Sequence, residues 1–260
     1  LSTSPACVTG DGYAWLEELG APLTNMDFCT AYAGGIPTSD DFRSFGYFNA
    51  TNGALWINTN GERMADETGA DSHVKSETWA NAPHNIVYTV FSSEMLIPDA
   101  KVFSTGAWGS VKEEFDPYVE SLIEKGLAWK ADTIEELAGL LGVPADELQK
   151  TIDRYNELCD KGSDVDFGKK STYMHKIEKA PFWGIRKHIR VSAICAGVNT
   201  NTNGQALDTD GNVIDGLYCV GNVGGVFYGG ADYPFHQTGL SLGRCYTFGM
   251  LAAKHAMGQL

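Results

Sequence analysis

The stretch from Asp208 to Val226 restricts the fold more than any other part of the chain. A polar Asp/Gly turn at 208–211 leads into an apolar run, Leu217 to Val220, which meets a glycine-rich turn at Gly221, Gly224 and Gly225. Further glycines follow at 229, 230, 239 and 243, and a small-residue segment then opens a helix over Leu240 to Met257. Strand, glycine turn and helix start in that order let backbone N–H groups and a helix N-terminus approach a bulky polar ligand. Glycine density alone is weak evidence, since turns use glycine everywhere, so the ordering carries the reading.

A chain of 260 residues is long enough for one large domain or two. Its 33 acidic and 19 basic residues give a net charge of −14, which repels nucleic acid and anionic membrane surfaces. No apolar run approaches the about 20 residues of a membrane span, so a soluble chain is expected. Cys7, Cys29, Cys159, Cys195, Cys219 and Cys245 are scattered, with no C-x-x-C pair and no His at ligand spacing, so no metal site is expected. Buried thiols are the expected state of most of them, and a Cys7–Cys29 disulfide stays open. The chain starts at Leu1 without an initiator Met or a leader, as an excised piece would.

From the N-terminus, Thr9-Gly10-Asp11-Gly12 precedes a helical pattern over Tyr13 to Gly20 with Trp15, Leu16 and Leu19 on one side. Such a turn suits a phosphate or ribose, or is a plain helix cap. Leu55 to Ile57 reads as a short strand and Asn60-Gly61 as a hairpin turn, after which Glu62, Arg63, Asp66 and Glu67 suit the surface of any hairpin. Ile86 to Phe91 reads as a strand. Residues 109–126 read as a helix through Val111, Phe115, Tyr118, Val119 and Leu122, ending at Gly126. Thr133 and Glu136 form a capping box for Ile134 to Leu141, and Pro144 opens the next helix, Ala145 to Leu158.

At Gly216-Leu217-Tyr218-Cys219-Val220-Gly221-Asn222 and Gly239-Leu240-Ser241-Leu242-Gly243 with Phe248-Gly249, the chain resembles the C-terminal flavin segment of the fumarate reductase/succinate dehydrogenase flavoprotein family. The resemblance extends through Asn25-Met26-Asp27-Phe28, through Gly61-Glu62-Arg63 with Asp66-Glu67, through Tyr155-Asn156 and Asp166-Phe167-Gly168, and through Ala180-Pro181-Phe182-Trp183. It implies an α+β chain: a capping domain of mixed helices and short sheet, plus the C-terminal segment of a Rossmann-like FAD-binding domain. The implied segments are 1–35 (flavin), 36–180 (capping, over the substrate) and 181–260 (flavin). The family's N-terminal βαβ half, with G-x-G-x-x-G and an acidic residue for the adenosine ribose, is not found in these residues. The chain alone is therefore expected to hold FAD weakly or not at all, and to be inactive.

The resemblance implies FAD chemistry on a C=C bond conjugated to a carbonyl, with Thr9, Gly10, Asp11, Gly221, Asn222, Gly239, Ser241 and Leu242 on the cofactor. Ser241 also suits a plain helix N-cap. The arginine and histidine clamps of dicarboxylate-reducing members have no match at the corresponding positions, so a fumarate reductase is not expected. Asn222 in place of the family's Glu, and the Tyr233-Pro234 segment, look more like the 3-ketosteroid dehydrogenase branch. Tyr233, with the Gly239 amide, is then the candidate catalytic group, and Tyr32 and His236 are further candidates; any one of six histidines also suits a structural role. The expected partners are an apolar or aromatic enone-like small molecule and an electron donor or acceptor protein or domain. Related proteins are often exported. A scaffold that kept the fold and lost catalysis, acting as a binding module, is the alternative.

Overall fold

The computed structural model describes residues 7–37, 45–46, 53–69, 72–96, 101–104, 111–225, 227–228 and 239–260. In chain order the elements are α1 (Asp11–Glu18), β1 (Leu23–Thr24), β2 (Cys29–Pro37), β3 (Phe45–Gly46), β4 (Leu55–Ile57), α2 (Ser72–Ala80), β5 (Ile86–Ser92), β6 (Lys101–Ser104) and β7 (Val111–Glu114). They continue as α3 (Phe115–Glu124), β8 (Ala128–Ala131), α4 (Ile134–Leu141), α5 (Ala145–Lys161), β9 (Phe182–Ile194), β10 (Gly197–Val198), β11 (Gln205–Leu207), β12 (Val213–Tyr218) and α6 (Leu240–Ala256). The class is α+β. Two compact units form, one of Tyr32–Arg190 and one of Ser4–Ala31 with Val191–Leu260. The chain passes between them inside β2 and β9.

In the Tyr32–Arg190 unit a sheet runs β3-β2-β9-β5-β4, with β8 also paired to β9. Strand β5 is a continuous run of β-branched and aromatic residues because both its faces are covered: Val87 to Ser92 are all buried. Helix α4 buries Ile134, Leu137, Ala138 and Leu141, the i, i+3, i+4, i+7 stripe that seats a helix on a core. Its N-terminus is closed by the expected capping residues. Glu136 N donates to Thr133 Oγ1 at 3.1 Å, and Asp132 N donates to Glu136 Oε2 at 3.1 Å. Gly184 lets α4 come close, since a Cβ there would lie 2.7 Å from Leu141 Cδ2. Helix α5 adds Leu148, Ile152, Tyr155 and Leu158 to the same core.

Two expected helices differ in detail. Residues 111–114 form β7, paired antiparallel with β6 from Lys101↔Glu114 to Ser104↔Val111, and the helix starts only at Phe115. A hairpin partner there outweighs the helical pattern, which side-chain spacing alone does not reveal. In α1 only Leu16 is buried, while Trp15 and Leu19 are exposed. The helix ends at Glu18, so Leu19 leaves the face that Leu16 occupies.

Of the hairpin charges Glu62 is exposed, as expected, whereas Arg63 and Glu67 are not surface groups. The Arg63 side chain is 6% exposed and that of Glu67 3%, and Arg63 Nε donates to Glu67 Oε1 at 3.0 Å. Arg63 Nη2 reaches Glu67 Oε2 at 3.0 Å and Asp164 Oδ2 at 2.7 Å. Lys169 Nζ completes the cluster 3.2 Å from Glu67 Oε2 and donates to Gly53 O at 2.6 Å. The guanidinium lies between the rings of Tyr155 and Phe167, at 5.2 and 4.9 Å from their centroids. Burial pushes the Asp164 carboxyl up, but the Arg63 hydrogen bond and the Lys169 and Phe167 backbone N–H groups more than offset it, and the net position is below the usual carboxylate value.

A buried cluster tolerates replacement badly when one partner goes, because the others stay charged. Glu67→Gln is expected to lower the unfolding free energy by about 3–5 kcal/mol in urea titrations; an unchanged midpoint would refute the cluster. Asp164, depressed in the folded state, stabilises above its unfolded value of about 3.9 and loses that contribution as pH falls further. Acid unfolding monitored by tryptophan fluorescence should therefore begin at lower pH in the unaltered protein than in Arg63→Met.

Candidate active site

The other unit builds its candidate site from three glycine-opened backbone segments. Gly10 (φ +83°) precedes α1, Gly221 (φ +73°) opens a single 3₁₀ turn over Gly221–Val223, and Gly239 (φ +83°) precedes α6. A side chain at any of them would be strained, because positive φ brings Cβ against the backbone. Gly197 in β10 is needed for another reason: a Cβ there would lie 2.2 Å from Val223 O and 2.6 Å from Gly225 N. The turn thus packs backbone on backbone against β10, fixed by Gly225 N donating to Val198 O at 3.0 Å. Asn25 Nδ2 donates to Gly225 O at 2.6 Å and ties down its far side.

Arg244 grips the turn from α6. Its Nη1 donates to Gly221 O and its Nη2 to Asn222 Oδ1, both at 2.7 Å. The guanidinium is covered by the rings of Phe227 and Tyr228, 5.2 and 4.6 Å from their centroids. From α1, Tyr13 OH donates to Ala196 O at 3.1 Å and approaches Asn222 O at 3.4 Å. Burial pushes the Tyr13 phenol above its usual value, against the lowering effect of the Arg244 charge. A cavity of about 190 Å³ opens beside the turn, lined by Thr200, Asn201, Cys219, Val220, Phe227 and Arg244 among others.

Of the residues expected on a cofactor, Gly221 and Asn222 are held together in this clamp. Thr9 and Asp11 close on each other at the start of α1, Thr9 Oγ1 donating to Asp11 Oδ1 at 2.7 Å, with Gly10 between them as the N-cap residue. Gly239 is the N-cap residue of α6, which places Ser241 and Leu242 in the first turn and overrules Ser241 as the cap. Among the described residues no side chain caps that end, Gly239 having none to offer to the first N–H groups of α6. Tyr32 belongs to the Tyr32–Arg190 unit, where Arg190 lies over its ring at 4.7 Å. Tyr233 and His236 lie outside the described residues. Cys7 and Cys29 are free and exposed and form no disulfide. Among the described residues no group of His, Cys, Asp and Glu is arranged to hold a metal.

Arg244 was not among the sequence candidates. One signal for it exists: it is the single charged residue of α6 before Lys254, and a charge amid small and apolar residues is buried only when paired. Arg244→Met leaves Gly221 O and Asn222 Oδ1, both part-buried in these hydrogen bonds, without the guanidinium. A loss of about 2 kcal/mol in unfolding free energy is expected, with Arg244→Lys intermediate. Chemical denaturation measures both; equal stability of the two variants would contradict the clamp.

An NADH:acrylate oxidoreductase of Vibrio harveyi is 32% identical over 255 residues, covering 98% of this chain and 23% of that protein. A vinyl phenol reductase of Lactiplantibacillus plantarum is 27% identical over 262 residues, covering 95% of this chain and 53% of that protein. This chain thus spans between about a quarter and about half of the length of these relatives. The structure of 3-ketosteroid delta1-dehydrogenase from Sterolibacterium denitrificans superposes with a TM-score of 0.74 at 22% identity, over 100% of this chain and 48% of that one, a likeness of fold. Residues 1–233 match the family described as FAD binding domain. The chain belongs to that family of flavin-dependent oxidoreductases, whose cofactor is FAD.

Proposed function

We propose that these 260 residues are the capping and ring-side part of an FAD-dependent oxidoreductase that reduces or forms a C=C bond conjugated to a carbonyl. The observation that carries the reading is the start of α6. An αL glycine at the N-cap and an adjacent clamped turn fit the edge of a flavin ring that becomes anionic on reduction. Bound FAD supplies the hydride chemistry. The N–H groups of Ser241 and Leu242, with the α6 dipole of about half a charge, stabilise negative charge placed before them. Gly221 and Asn222 hold the polar chain of the cofactor, and Thr9, Gly10 and Asp11 form a second polar contact. Tyr233, His236 and Tyr32 handle the proton, and the Gly239 amide polarises the substrate carbonyl.

The unit of Tyr32–Arg190 is assigned as the cap over the substrate, and the relatives' printed activities on acrylate and vinyl phenol support an unsaturated small molecule. A dicarboxylate is disfavoured because the family's clamp positions are not matched. The adenosine half of FAD needs a βαβ unit that these residues do not contain, so we assign it to a longer parent that also meets the electron donor or acceptor. An apolar side of α6 supports this: Leu242, Tyr246 and Met250, at i, i+4 and i+8, are 67%, 79% and 53% exposed. Among the described residues no helix is long and apolar enough to cross a membrane.

The test has two arms. Flavin released by denaturing the purified chain should be well below one equivalent. Co-expression with a dinucleotide-binding half should raise it, and the reduced flavin should then be reoxidised by alkenes conjugated to a carbonyl. No reoxidation across a panel of ketones, esters and acids would reject the catalytic reading and leave the binding scaffold.

A further inference from the structure

Arg244 carries a positive charge that its surroundings do not cancel. The residue is 7% exposed, and arginine keeps its charge in proteins. Its terminal nitrogens donate to the Gly221 carbonyl and the Asn222 amide oxygen, and the rings of Phe227 and Tyr228 lie against the guanidinium. Among the described residues no carboxylate forms an ion pair with it. Its Nε is buried and has no acceptor. Arginine is rarely buried this far unless an anion accompanies it, because dipoles alone do not return the lost hydration. The contrast within this chain is direct: the buried Arg63 is met by two carboxylates.

The cavity of about 190 Å³ beside the turn is lined by Arg244 with Thr200, Thr202, Gly204, Gly221 and Phe248, among others. Its volume equals that of about six waters. Among the described residues the lining contains no Asp or Glu, so Arg244 sets the sign of the charge there. Threonine hydroxyls donate to an oxyanion, and glycine lets one approach the backbone. Asn222 is not part of the lining, so its amide holds Arg244 without forming a wall of the cavity.

We propose that this cavity binds a phosphate group, which supplies the counter-charge that Arg244 lacks. Lining residues converge from three segments, 200–204, 219–227 and α6, an arrangement that suits a tetrahedral oxyanion more than a planar carboxylate. The net charge of −14 repels anions from the surface at large, so binding depends on this local cation. The flavin ring edge is assigned to the N–H groups of Ser241 and Leu242 and makes no use of the cavity, so the site goes beyond the cofactor assignment.

The test uses the whole chain without flavin. Calorimetric titrations are run with inorganic phosphate, adenosine 5′-monophosphate, adenosine and acetate, all at one ionic strength set with chloride. Phosphate is expected to bind and adenosine and acetate are not. Asn222→Asp puts a carboxylate on Arg244 and cancels its charge while the cavity lining stays as it is. That variant should bind phosphate at least about ten-fold more weakly, the scale of one hydrogen bond to a charged group, with its urea midpoint unchanged or raised. Arg244→Lys keeps the charge and should retain part of the affinity. Equal affinity for phosphate and the monophosphate would identify a free phosphate as the occupant; tighter binding of the monophosphate would identify the phosphate of a nucleotide. Either result supports the site. No binding of phosphate, undiminished binding by Asn222→Asp, or adenosine or acetate binding as tightly as phosphate would each overturn it. Absence of flavin from the co-expressed protein would leave these titrations unaffected, so the cofactor assignment and the phosphate site fall separately.

Discussion

The backbone ladder of β9 is the interaction on which most of the molecule depends. Its residues Phe182 to His188 pair in register with β5, and Phe182 to Ile185 pair on the other edge with β8. Because both edges are used, the strand is fixed in rotation as well as position, and its side chains have no choice of face. Gly184 faces Leu141 on the core side, so α4 settles against the sheet, and α5 follows it. The same alternation puts Arg186, His188 and Arg190 together. Their juxtaposition is a by-product of pairing, not of local sequence preference.

What was legible in the sequence is what is decided locally. The Thr133–Glu136 cap and the strand Leu55–Ile57 both depend on residues a few positions apart. The glycine turn at 221 and the start of α6 were legible for the same reason, since positive φ favours glycine. The Arg63–Asp164 contact joins positions 101 apart, and nothing near Arg63 announces its partner. β7 failed by the same logic, for its partner β6 decides the matter. Arg244 falls between: its isolation in α6 is visible, but its partners on the turn are not.

Two clusters of charge are handled in opposite ways. Arg63, Glu67, Asp164 and Lys169 neutralise one another completely, so burial is tolerable and the cluster works as a brace between distant segments. Arg244 is satisfied by a carbonyl and an amide oxygen, which are dipoles and not charges, so its positive charge is not cancelled there. A brace needs neutrality; a site proposed to meet an anionic ring edge does not. The difference lies in the acceptors chosen and can be read from the geometry without reference to the rate of any reaction.

The unit containing α1 and α6 is discontinuous: it takes Ser4–Ala31 from one end of the chain and Val191–Leu260 from the other. Tyr13 and its acceptor at Ala196 are 183 positions apart. During synthesis α1 must therefore wait, with few native contacts of its own, until everything in between has been made. Closing such a loop is less costly once the intervening residues have folded and drawn its ends together. Folding of the inserted unit thus favours assembly of the other, so a defect in the Arg63 brace is expected to slow formation of the turn at Gly221 without touching it.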